Sequence, residues 1–397
     1  MQPLILSSFT LTNALGLGLD ATTRALAECR SGLRPCDFDS ADLETFIGRV
    51  DGLEESPVME NLSEYDCRNN RLAQIALQQD NFMASVADAA KRFGADRIGV
   101  FIGTSTSGIL ETELAYQNRD PETGCLPDDY RYLQTHDSFS TADFTRRCLR
   151  LEGPALAVST ACSSSAKVFA DAYRFIQSGY CDAAVVGGVD SLCLTTLYGF
   201  SSMELVSSRP CRPADKDRDG ISIGEAGGFA LLEKSGTGHS ENRIALLGYG
   251  ESCDAYHMGA PHPEGRGMAD AMRSALAKAE LKPEAISYVN LHGTATQTND
   301  KAEDRAVYSV LGPNIPCSST KGWTGHTLGS SGITEAIISV ICLTKGFIPA
   351  SLNTRILDPD IKCRIVLENE DAELSYVISN SFGFGGNNCS LIFGMAA

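Results

Sequence analysis

The chain has 397 residues, of which 43% are hydrophobic and 21% charged, a balance typical of a globular protein with one large domain or two fused halves. Its net charge of -17 argues against a general nucleic-acid or anionic-membrane surface. The fourteen cysteines form no C-x-x-C pair and the N-terminus MQPLILSSFTLTNALG has no signal-peptide pattern, so we expect no zinc site, no disulfide scaffold and a cytoplasmic location.

Strand-like and helix-like stretches alternate along the first part of the chain, which predicts an α/β fold. Apolar runs predict strands and helical spacing of apolar residues predicts a helix. The predicted elements are strands at 97–102, 156–160 and 182–189 and a helix at 163–178. Cys162 therefore falls at a strand-to-helix turn. The Asp-, Pro- and Gly-rich residues 118–140 predict a surface loop.

A second, similar arrangement follows in the remainder of the chain. Its predicted elements are strands from 244, at 286–291 and at 377–381, and helices at 268–280, 301–311 and 332–343. The polar stretch SGTGHSEN predicts a boundary near residue 240. We therefore expect an N-terminal half, 1–240, and a C-terminal half, 241–397.

One cysteine and two distant histidines lie among glycines and hydroxyl residues. Cys162 stands in VSTACSSSAKVF, where the amides of a helix start favour the thiolate, the nucleophilic form. His292 stands in VNLHGTATQTND and His326 in SSTKGWTGHTLGSSG. A thiolate with two imidazoles suits covalent acyl transfer followed by charge stabilisation. The alternative for each is an ordinary packed residue, which is our interpretation of the other thirteen cysteines.

Charged and glycine-rich neighbours accompany these three residues. Lys321 lies in the same loop as the second histidine, and a buried lysine shifts the pKa of nearby groups. Asp300, Glu303 and Glu335 are all candidates for its partner, and the sequence does not choose among them. The glycines of SNSFGFGGNN, from Ser379, let backbone amides face an oxyanion.

Together these segments resemble the β-ketoacyl-acyl-carrier-protein synthases of the elongating Cys-His-His type. The resemblance covers nearly the whole chain, from NALG through TACSSS, RPADKDRDGISIGEAGG, CDAYHM, LHGTAT and TKGWTGHTLGSSG to NSFGFGGNN. It implies a thiolase-like α/β fold with two similar layered α-β-α-β-α halves, one carrying the cysteine and the other both histidines.

The resemblance also implies residue roles. Cys162 accepts the acyl group, while His292, His326 and Lys321 form the rest of the catalytic set. Phe384 is a gate whose backbone N–H joins that of Cys162 in the oxyanion hole. The remaining implied positions are an acidic network of Asp300, Glu303 and Glu335, an acyl-pocket residue, Thr106, and a monovalent-cation site of some members at Asn290, Glu335 and Ser379.

The implied reaction is the decarboxylative condensation of malonyl-carrier protein with an acyl group on the cysteine. It requires no metal or redox cofactor, and 4'-phosphopantetheine arrives on the acyl carrier protein. The expected partners are that carrier, malonyl and acyl thioesters, and a second subunit that is identical or resembles a chain length factor. We expect no nucleic acid and, because no apolar run reaches about 20 residues, no membrane span.

Departures from the family pattern leave the pathway open. TACSSS differs from the A-C-A-T pattern of housekeeping fatty-acid synthases and is closer to ketosynthases of polyketide or aryl-polyene pathways. The segment GTSTSG, from Gly103, also differs from G-x-G-x-G-G. Three rival classes fit less well: a degradative thiolase, because Cys389 is misplaced for a second catalytic cysteine; a Cys-His-Asn starter synthase, because of His326; and a non-catalytic chain length factor, because of Cys162.

Carrier proteins are acidic, so a chain of net charge -17 needs a local basic patch to bind one. The candidates for this docking patch are Arg68, Arg71, Arg209 and Arg212. The alternative is that these are ordinary solvated arginines.

Overall fold

The computed structural model describes residues 1–38, 41–234 and 244–396 of the chain. Its strands, in chain order, are β1 Leu4–Asn13, β2 Gly16–Leu17, β3 Leu33–Pro35, β4 Phe46–Gly48, β5 Ile98–Gly103, β6 Ala155–Val158, β7 Ala183–Asp190, β8 Ile223–Gly224, β9 Ala226–Lys234, β10 Ile244–Cys253, β11 Tyr288–Asn290, β12 Pro316–Ser318, β13 Phe347–Ile348, β14 Arg364–Ile365, β15 Glu370–Asp371, β16 Tyr376–Gly383 and β17 Asn387–Met395. Its helices are α1 Gly18–Ala27, α2 Arg68–Leu77, α3 Phe82–Phe93, α4 Ile109–Gln117, α5 Tyr132–Thr135, α6 Ser140–Cys148, α7 Ser164–Gln177, α8 Leu194–Ser202, α9 Arg266–Ala279, α10 Gln297–Leu311, α11 Lys321–Thr324 and α12 Ser331–Lys345.

The strand order repeats between the two parts of the chain. In the first part it is β6-β5-β7-β9-β1, and in the second it is β12-β11-β16-β17-β10, with β14 added beyond β12. In each set the first three strands in this order are parallel to one another. The fourth and the fifth strand each run antiparallel to the strand before them. β1 and β10 pair at Leu4–Leu246 and Ile5–Ala245, which joins the sets. The thiolase-like α/β fold implied by the sequence is therefore confirmed, while the predicted boundary at residue 240 lies outside the described residues.

Two equivalent helices form the centre of the molecule. α7 follows β6 and α12 follows β12 and α11, and the two helices pack against each other. Every residue of α12 from Ser331 to Cys342 is buried, since the helix is apolar on nearly all its faces. The segment Leu328–Lys345 is apolar and long enough to cross a membrane, but 83% of it is buried inside the protein, as expected for a core helix. Cys162 and His326 lie just ahead of these two central helices, and His292 follows β11.

The predicted elements around the site are confirmed, with small shifts at their ends. α10 begins at Gln297 rather than at 301, because the Thr296 side chain accepts a hydrogen bond from the Asn299 amide and caps the helix earlier. The residues predicted as the strand 286–291 form the shorter β11. The predicted loop 118–140 contains one short helix, α5.

Candidate active site

Cys162 lies at the turn between β6 and α7, as the sequence predicts. Ala161 has a φ of 53°, a left-handed conformation that reverses the chain direction just ahead of the helix. The thiol is 7% exposed and stands close to the first residue of α7, Ser164, where helix amides carry partial positive charge. The local fold thus presents a buried sulfur to a positive helix end.

His326 contacts the cysteine directly. Its Nε2 lies 3.1 Å from the Cys162 Sγ, and its Nδ1 lies 2.9 Å from the Ser331 hydroxyl. The Leu328 amide donates to the same Nδ1 at 3.3 Å, which is possible because Leu328 has a φ of 54°. An N–H donor on Nδ1 requires a lone pair there, so we assign the ring proton to Nε2, facing the cysteine.

His292 is held in the same protonation state by a different donor. Its Nδ1 lies 3.3 Å from the Lys321 ammonium, which can only donate, so Nε2 again carries the proton. Its ring centroid lies 5.3 Å from that of His326. The Glu303 carboxylate accepts from the backbone amides of His292 and Gly293, both at 2.8 Å, and so fixes the turn after β11.

Both histidines are neutral near pH 7. Burial lowers the pKa of His292 well below 6.5, and the charges of Lys321 and His326 lower it further. Burial and the Lys321 charge likewise lower the pKa of His326 well below 6.5. Burial raises the pKa of the Cys162 thiol to about 11, against the lowering effects of Lys321 and of the Phe384 backbone amide. The site therefore holds two neutral imidazoles as hydrogen-bond donors and a protonated thiol at rest.

Lys321 pairs with Glu335, which settles the choice the sequence left open. The ammonium donates to the Glu335 carboxylate and to the His292 carbonyl oxygen, and both side chains of the ion pair are buried. Burial raises the pKa of Glu335, while the Lys321 charge opposes that rise. This buried ion pair therefore holds the Lys321 ammonium against both the ring and the carbonyl oxygen of His292.

The other two carboxylates of the expected acidic network have partners of their own. Asp300 accepts from the Ala214 amide at 2.9 Å and lies 3.3 Å from the Arg218 Nε. Burial raises the pKa of Glu303 to about 7, against the two backbone amides that lower it. The three carboxylates thus brace three different segments around the histidines.

Phe384 approaches Cys162 from the C-terminal part of the chain. Its backbone amide hydrogen-bonds to the Cys162 thiol, as expected of an oxyanion-hole donor. Gly383 lies so close to the turn of the cysteine that a Cβ there would come within 2.9 Å of the Thr160 carbonyl oxygen. The Phe384 ring lies 5.8 Å from that of Phe200. Both rings line one cavity with the cysteine and the two histidines, as a gate would.

A ligand atom from each of Cys162, His292 and His326 lies within 4.8 Å of the others, a spacing that would also suit a metal ion. The donors on the two Nδ1 atoms argue against this use. Leu328 N–H and the Lys321 ammonium keep the ring protons on Nε2, where a metal facing the cysteine would need a lone pair. In this arrangement both Nε2–H groups are hydrogen-bond donors that line the cavity.

Two sequence models of the β-ketoacyl synthase family match this chain, the N-terminal domain at residues 9–237 and the C-terminal domain at 244–355. The chain belongs to the β-ketoacyl synthase family. It is 33% identical over 398 residues to a 3-oxoacyl-[acyl-carrier-protein] synthase 2 of Synechocystis sp., with 96% of this chain and 94% of the relative covered. A relative of the same description in Staphylococcus aureus is 33% identical over 75% of this chain and 77% of its own.

Solved ketosynthase structures have the same fold. A chain of the complex between the ketosynthase ApeO and its chain length factor ApeC from Xenorhabdus doucetiae is 40% identical, with a TM-score of 0.89 and coverage of 100% of this chain and 98% of its own. A chain of the ishigamide ketosynthase/chain length factor is 28% identical, with the same TM-score and complete coverage of both chains.

The residues at the expected monovalent-cation position of the family suit an ion of that kind. Asn290 and Ser379 are paired in register on β11 and β16, and the Asn290 side-chain amide lies 3.5 Å from the Glu335 carbonyl oxygen. Among the described residues, Asn290 Oδ1, Glu335 Oε2 and Ser379 Oγ are buried oxygens without a hydrogen-bond partner. Oxygen donors with a negative charge among them are what a hard cation requires.

Thr106, the expected acyl-pocket residue, is buried. Its hydroxyl is 3.0 Å from Asp190 Oδ1 and accepts from the Ser191 amide at 3.3 Å. Thr106 is not among the residues that line the Cys162 cavity. Its hydroxyl is thus fully used by neighbouring protein groups.

Two of the four arginines expected to bind a carrier have little free surface. The prediction for Arg68 is wrong, because its guanidinium is 7% exposed and bonded to Glu225 and Glu54. Arg212 is 12% exposed and bonded to Asp219 and to a backbone carbonyl. Arg71 is partly exposed beside Asp66. Arg209 is 56% exposed, with a long contact to Asp219, and so remains the most available cation of the four.

Several residues at or beside this site were not predicted from the sequence. Thr294 and Thr296, in the GTAT segment, line the cavity. Their position two and four residues after His292 in the sequence could have indicated this. Asp190 ends β7, and its charge raises the pKa of Cys162; a polar residue at the carboxyl end of a parallel strand was also a signal. The left-handed conformation of Leu328, which fixes the His326 tautomer, had no sequence signal.

Proposed function

We propose that this chain is a condensing acyltransferase that joins an acyl group held on Cys162 to malonyl-carrier protein with loss of carbon dioxide. The observation that carries the proposal is the placement of two neutral Nε2–H imidazoles, one of them 3.1 Å from the thiol, in one cavity. A hydrolase would need an imidazole lone pair as general base, which both rings direct away from the cavity.

The first step is acyl transfer. The Cys162 sulfur attacks the carbonyl of an acyl-pantetheine thioester, the pantetheine C–S bond breaks, and the thiol proton leaves with the pantetheine sulfur. The backbone amides of Cys162 and Phe384 stabilise the oxyanion that forms. The helix end, the Lys321 charge and the Phe384 amide all favour sulfur in its thiolate form during attack.

The second step is decarboxylation. The C–C bond to the malonyl carboxylate breaks, carbon dioxide leaves, and the electron pair stays on the thioester as an enolate. His292 and His326 donate their Nε2 protons as hydrogen bonds to the enolate oxygen. Because both pKa values lie well below 6.5, the rings donate hydrogen bonds without giving up or gaining a proton.

The third step forms the new bond. The enolate carbon attacks the Cys162 thioester carbonyl, the oxyanion again rests on the two backbone amides, and its collapse breaks the C–S bond and expels the cysteine as a thiolate, which takes up a proton from solvent to restore the thiol. The product is a 3-oxoacyl group on the carrier, and the cysteine is ready for another acyl group. No step draws electrons from outside, so we propose that 4'-phosphopantetheine on the carrier is the one prosthetic group taking part.

The positions of the cysteines argue against two rival classes of protein, a degradative thiolase and a non-catalytic chain length factor. A degradative thiolase would need a second cysteine near the first, but Cys389 is fully buried in β17 within the hydrophobic core. A non-catalytic chain length factor would have no use for Cys162 with two donor imidazoles.

A comparison of alanine variants tests the reaction. Cys162→Ala should lose the acyl adduct seen by intact-protein mass spectrometry and all condensation. Cys193→Ala is the matched control, since Cys193 is also a buried thiol at the start of a helix but is bonded to Thr196. An acyl adduct that is still present in Cys162→Ala, or that is lost in Cys193→Ala, would overturn the assignment of Cys162 as the acylated residue.

Histidine variants separate the two half-reactions. His292→Ala and His326→Ala should still load an acyl group on Cys162 but release carbon dioxide from malonyl-carrier protein about a hundredfold more slowly, since each removes a donor to the developing enolate. Carbon dioxide release at the wild-type rate in either variant would contradict the mechanism.

We further propose that the chain pairs with a second subunit and elongates either fatty-acid or aryl-polyene/polyketide intermediates. Two of the similar structures are ketosynthases with a chain length factor, which supports a heterodimer with such a subunit over a homodimer. Elongation products formed with and without a co-expressed chain length factor decide between the pathways. A cytoplasmic location and two halves, 1–240 and 241–397, are parts of the same proposal.

The carrier protein is proposed to approach through Arg71 and Arg209. Charge reversal at both arginines should lower the rate of turnover of carrier-bound substrate and make that rate less dependent on salt concentration, because exposed charges act mainly on association. Turnover of small pantetheine thioesters, which need no docking surface, should stay unchanged. Equal loss with both kinds of substrate would contradict this docking patch.

A further inference from the structure

Asp190 is a fully buried carboxylate that the reaction steps above do not use. It is the last residue of β7, a strand of the N-terminal half, and none of its side chain is exposed. A buried carboxylate is stable only when its oxygens are well supplied with donors. Those donors identify what the carboxylate organises.

The donors to Asp190 come from two segments. On one side the turn after β5 supplies three hydroxyls and two amides: Thr104 Oγ1 at 2.7 Å, Ser105 N at 2.8 Å, Ser105 Oγ at 2.6 Å, and Thr106 N and Oγ1 at 3.0 Å. These are the hydroxyl residues of GTSTSG, the segment that departs from the family pattern. On the other side Gly329 N donates to Oδ2 at 2.5 Å.

Gly329 belongs to the turn that sets the tautomer of His326. It follows Leu328, the residue of positive φ whose amide donates to His326 Nδ1. Gly329 N also lies 3.2 Å from Ser105 Oγ, so the turn is held at one point by both Asp190 and Ser105. A Cβ on Gly329 would come within 2.7 Å of Asp190 Oδ2, which shows how closely the carboxylate approaches.

We propose that Asp190 is a positioning residue for His326: it anchors the 328–329 turn so that the Leu328 amide keeps the His326 proton on Nε2. Asp190 touches no reacting atom: it acts on His326 through two consecutive backbone amides, while its charge separately raises the pKa of the Cys162 thiol. The inference rests on the proposed function for its kinetic consequence, since an Nε2 proton matters for enolate stabilisation. Its structural consequence, the tautomer, does not depend on what the substrate is.

Asp190→Asn tests the inference with a side chain of the same size. The amide nitrogen of asparagine at the Oδ2 position would meet Gly329 N, a second donor, so the turn would lose its anchor. The alternative orientation would place that nitrogen against the two amides of residues 105 and 106. That orientation leaves two backbone donors without an acceptor, whereas the first leaves only Gly329 N, so we expect the first, in which the turn loses its anchor.

Thr104→Val is the matched control. It removes a hydroxyl donor to Asp190 Oδ1 and the contact with the Ser107 amide, yet leaves the bond between Asp190 and Gly329 in place. If Asp190 merely braces the GTSTSG turn, the two variants should behave alike. If Asp190 acts on the 328–329 turn, Asp190→Asn alone should affect His326.

Two readouts are measured on the intact protein. The 15N spectrum of histidine-labelled protein, assigned by loss of a signal in His326→Ala, reports which ring nitrogen carries the proton. We expect Nε2–H in the wild type and in Thr104→Val and a mixture in Asp190→Asn. Carbon dioxide release from malonyl-carrier protein should fall about tenfold or more in Asp190→Asn, a fraction of what complete loss of a donor causes, while acyl loading on Cys162 is nearly unchanged.

An unchanged His326 tautomer in Asp190→Asn, or equal losses of loading and decarboxylation, would overturn the proposal. Retained acyl loading also shows that the variant is folded. If Asp190→Asn does not fold, Ser105→Ala supplies the test: it removes the second contact to Gly329 N but keeps the bond to Asp190, so Nε2–H should persist, and a shifted tautomer would show that Ser105 is the anchor and overturn the proposal. If the wild type itself releases no carbon dioxide, the proposed function fails, and the tautomer measurement still decides the role of Asp190.

Discussion

Replacing Lys321 with methionine removes the counter-charge of Glu335 from the centre of the protein. The two side chains are 1% and 3% exposed, so the variant leaves a carboxylate buried without its charge partner. Loss of one member of a buried ion pair costs about 3–5 kcal/mol of stability. Burial already raises the pKa of Glu335 and the Lys321 charge opposes the rise, so the pKa should rise further in Lys321→Met.

This cost should depend on pH in one direction. The folded-state pKa of Glu335 lies above its ordinary value of 4.5, so over that interval the folded protein holds a proton that the unfolded chain has lost. The contribution of this carboxyl to the free energy of unfolding is therefore fully present below pH 4.5. It is lost as the pH rises through the folded-state pKa, by up to about 1.4 kcal/mol per pH unit. In Lys321→Met the interval extends to higher pH, so the difference from the wild type should widen as pH rises.

Urea unfolding midpoints between about pH 6 and pH 8, at one fixed protein concentration, measure the difference. The double variant Lys321→Met/Glu335→Gln is the control, because it has no carboxyl left to titrate at this position. Its difference from the wild type should not widen with pH as that of the single variant does. A constant difference in Lys321→Met at every pH, or a loss of stability below about 1 kcal/mol as for an exposed pair, would contradict a buried Lys321–Glu335 pair that controls the pKa of Glu335.

Other variants and conditions give simpler outcomes. Carbon dioxide release should persist down to pH values well below 6.5, because burial lowers the pKa of both His292 and His326 and the rings take up protons only below that range. A midpoint at or above pH 6.5 in the pH profile of carbon dioxide release would contradict neutral, buried imidazoles. Phe384→Ala keeps its backbone N–H, so condensation should continue while iodoacetamide reaches Cys162 faster; loss of all condensation would show that the ring does more than gate the cavity. Potassium should raise the melting temperature relative to choline at equal ionic strength, and Ser379→Ala should reduce that increase; equal melting temperatures in both salts would contradict the cation site expected at Asn290, Glu335 and Ser379.

The sequence predicted those parts of the fold whose pattern is local. Buried strands such as β5 and β7 are continuous apolar runs, and α7 has apolar residues at helical spacing, so each was visible in its own segment. β1 and β9, which complete the first sheet, were not predicted. β1 mixes serine and threonine with apolar residues, and β9 has two glycines directly after its first residue, so pairing between distant segments stabilises both strands.

The site divides in the same way. Cys162, His292 and His326 were found because their local motifs are specific. The partner of Lys321 could not be chosen, because Glu303 and Glu335 reach the same region from different helices and only the three-dimensional packing separates them. Arg68 was expected at the surface and is instead buried against Glu225, from a distant part of the chain.

The most direct test of the central claim is a single turnover on enzyme that carries a labelled acyl group on Cys162. After addition of malonyl-carrier protein, we expect the acyl-enzyme mass to disappear at the rate at which carbon dioxide appears, in equal amounts, and the label to be recovered as a 3-oxoacyl group on the carrier. Loss of the acyl group as free acid, or carbon dioxide release without transfer of the label, would contradict condensation at this site.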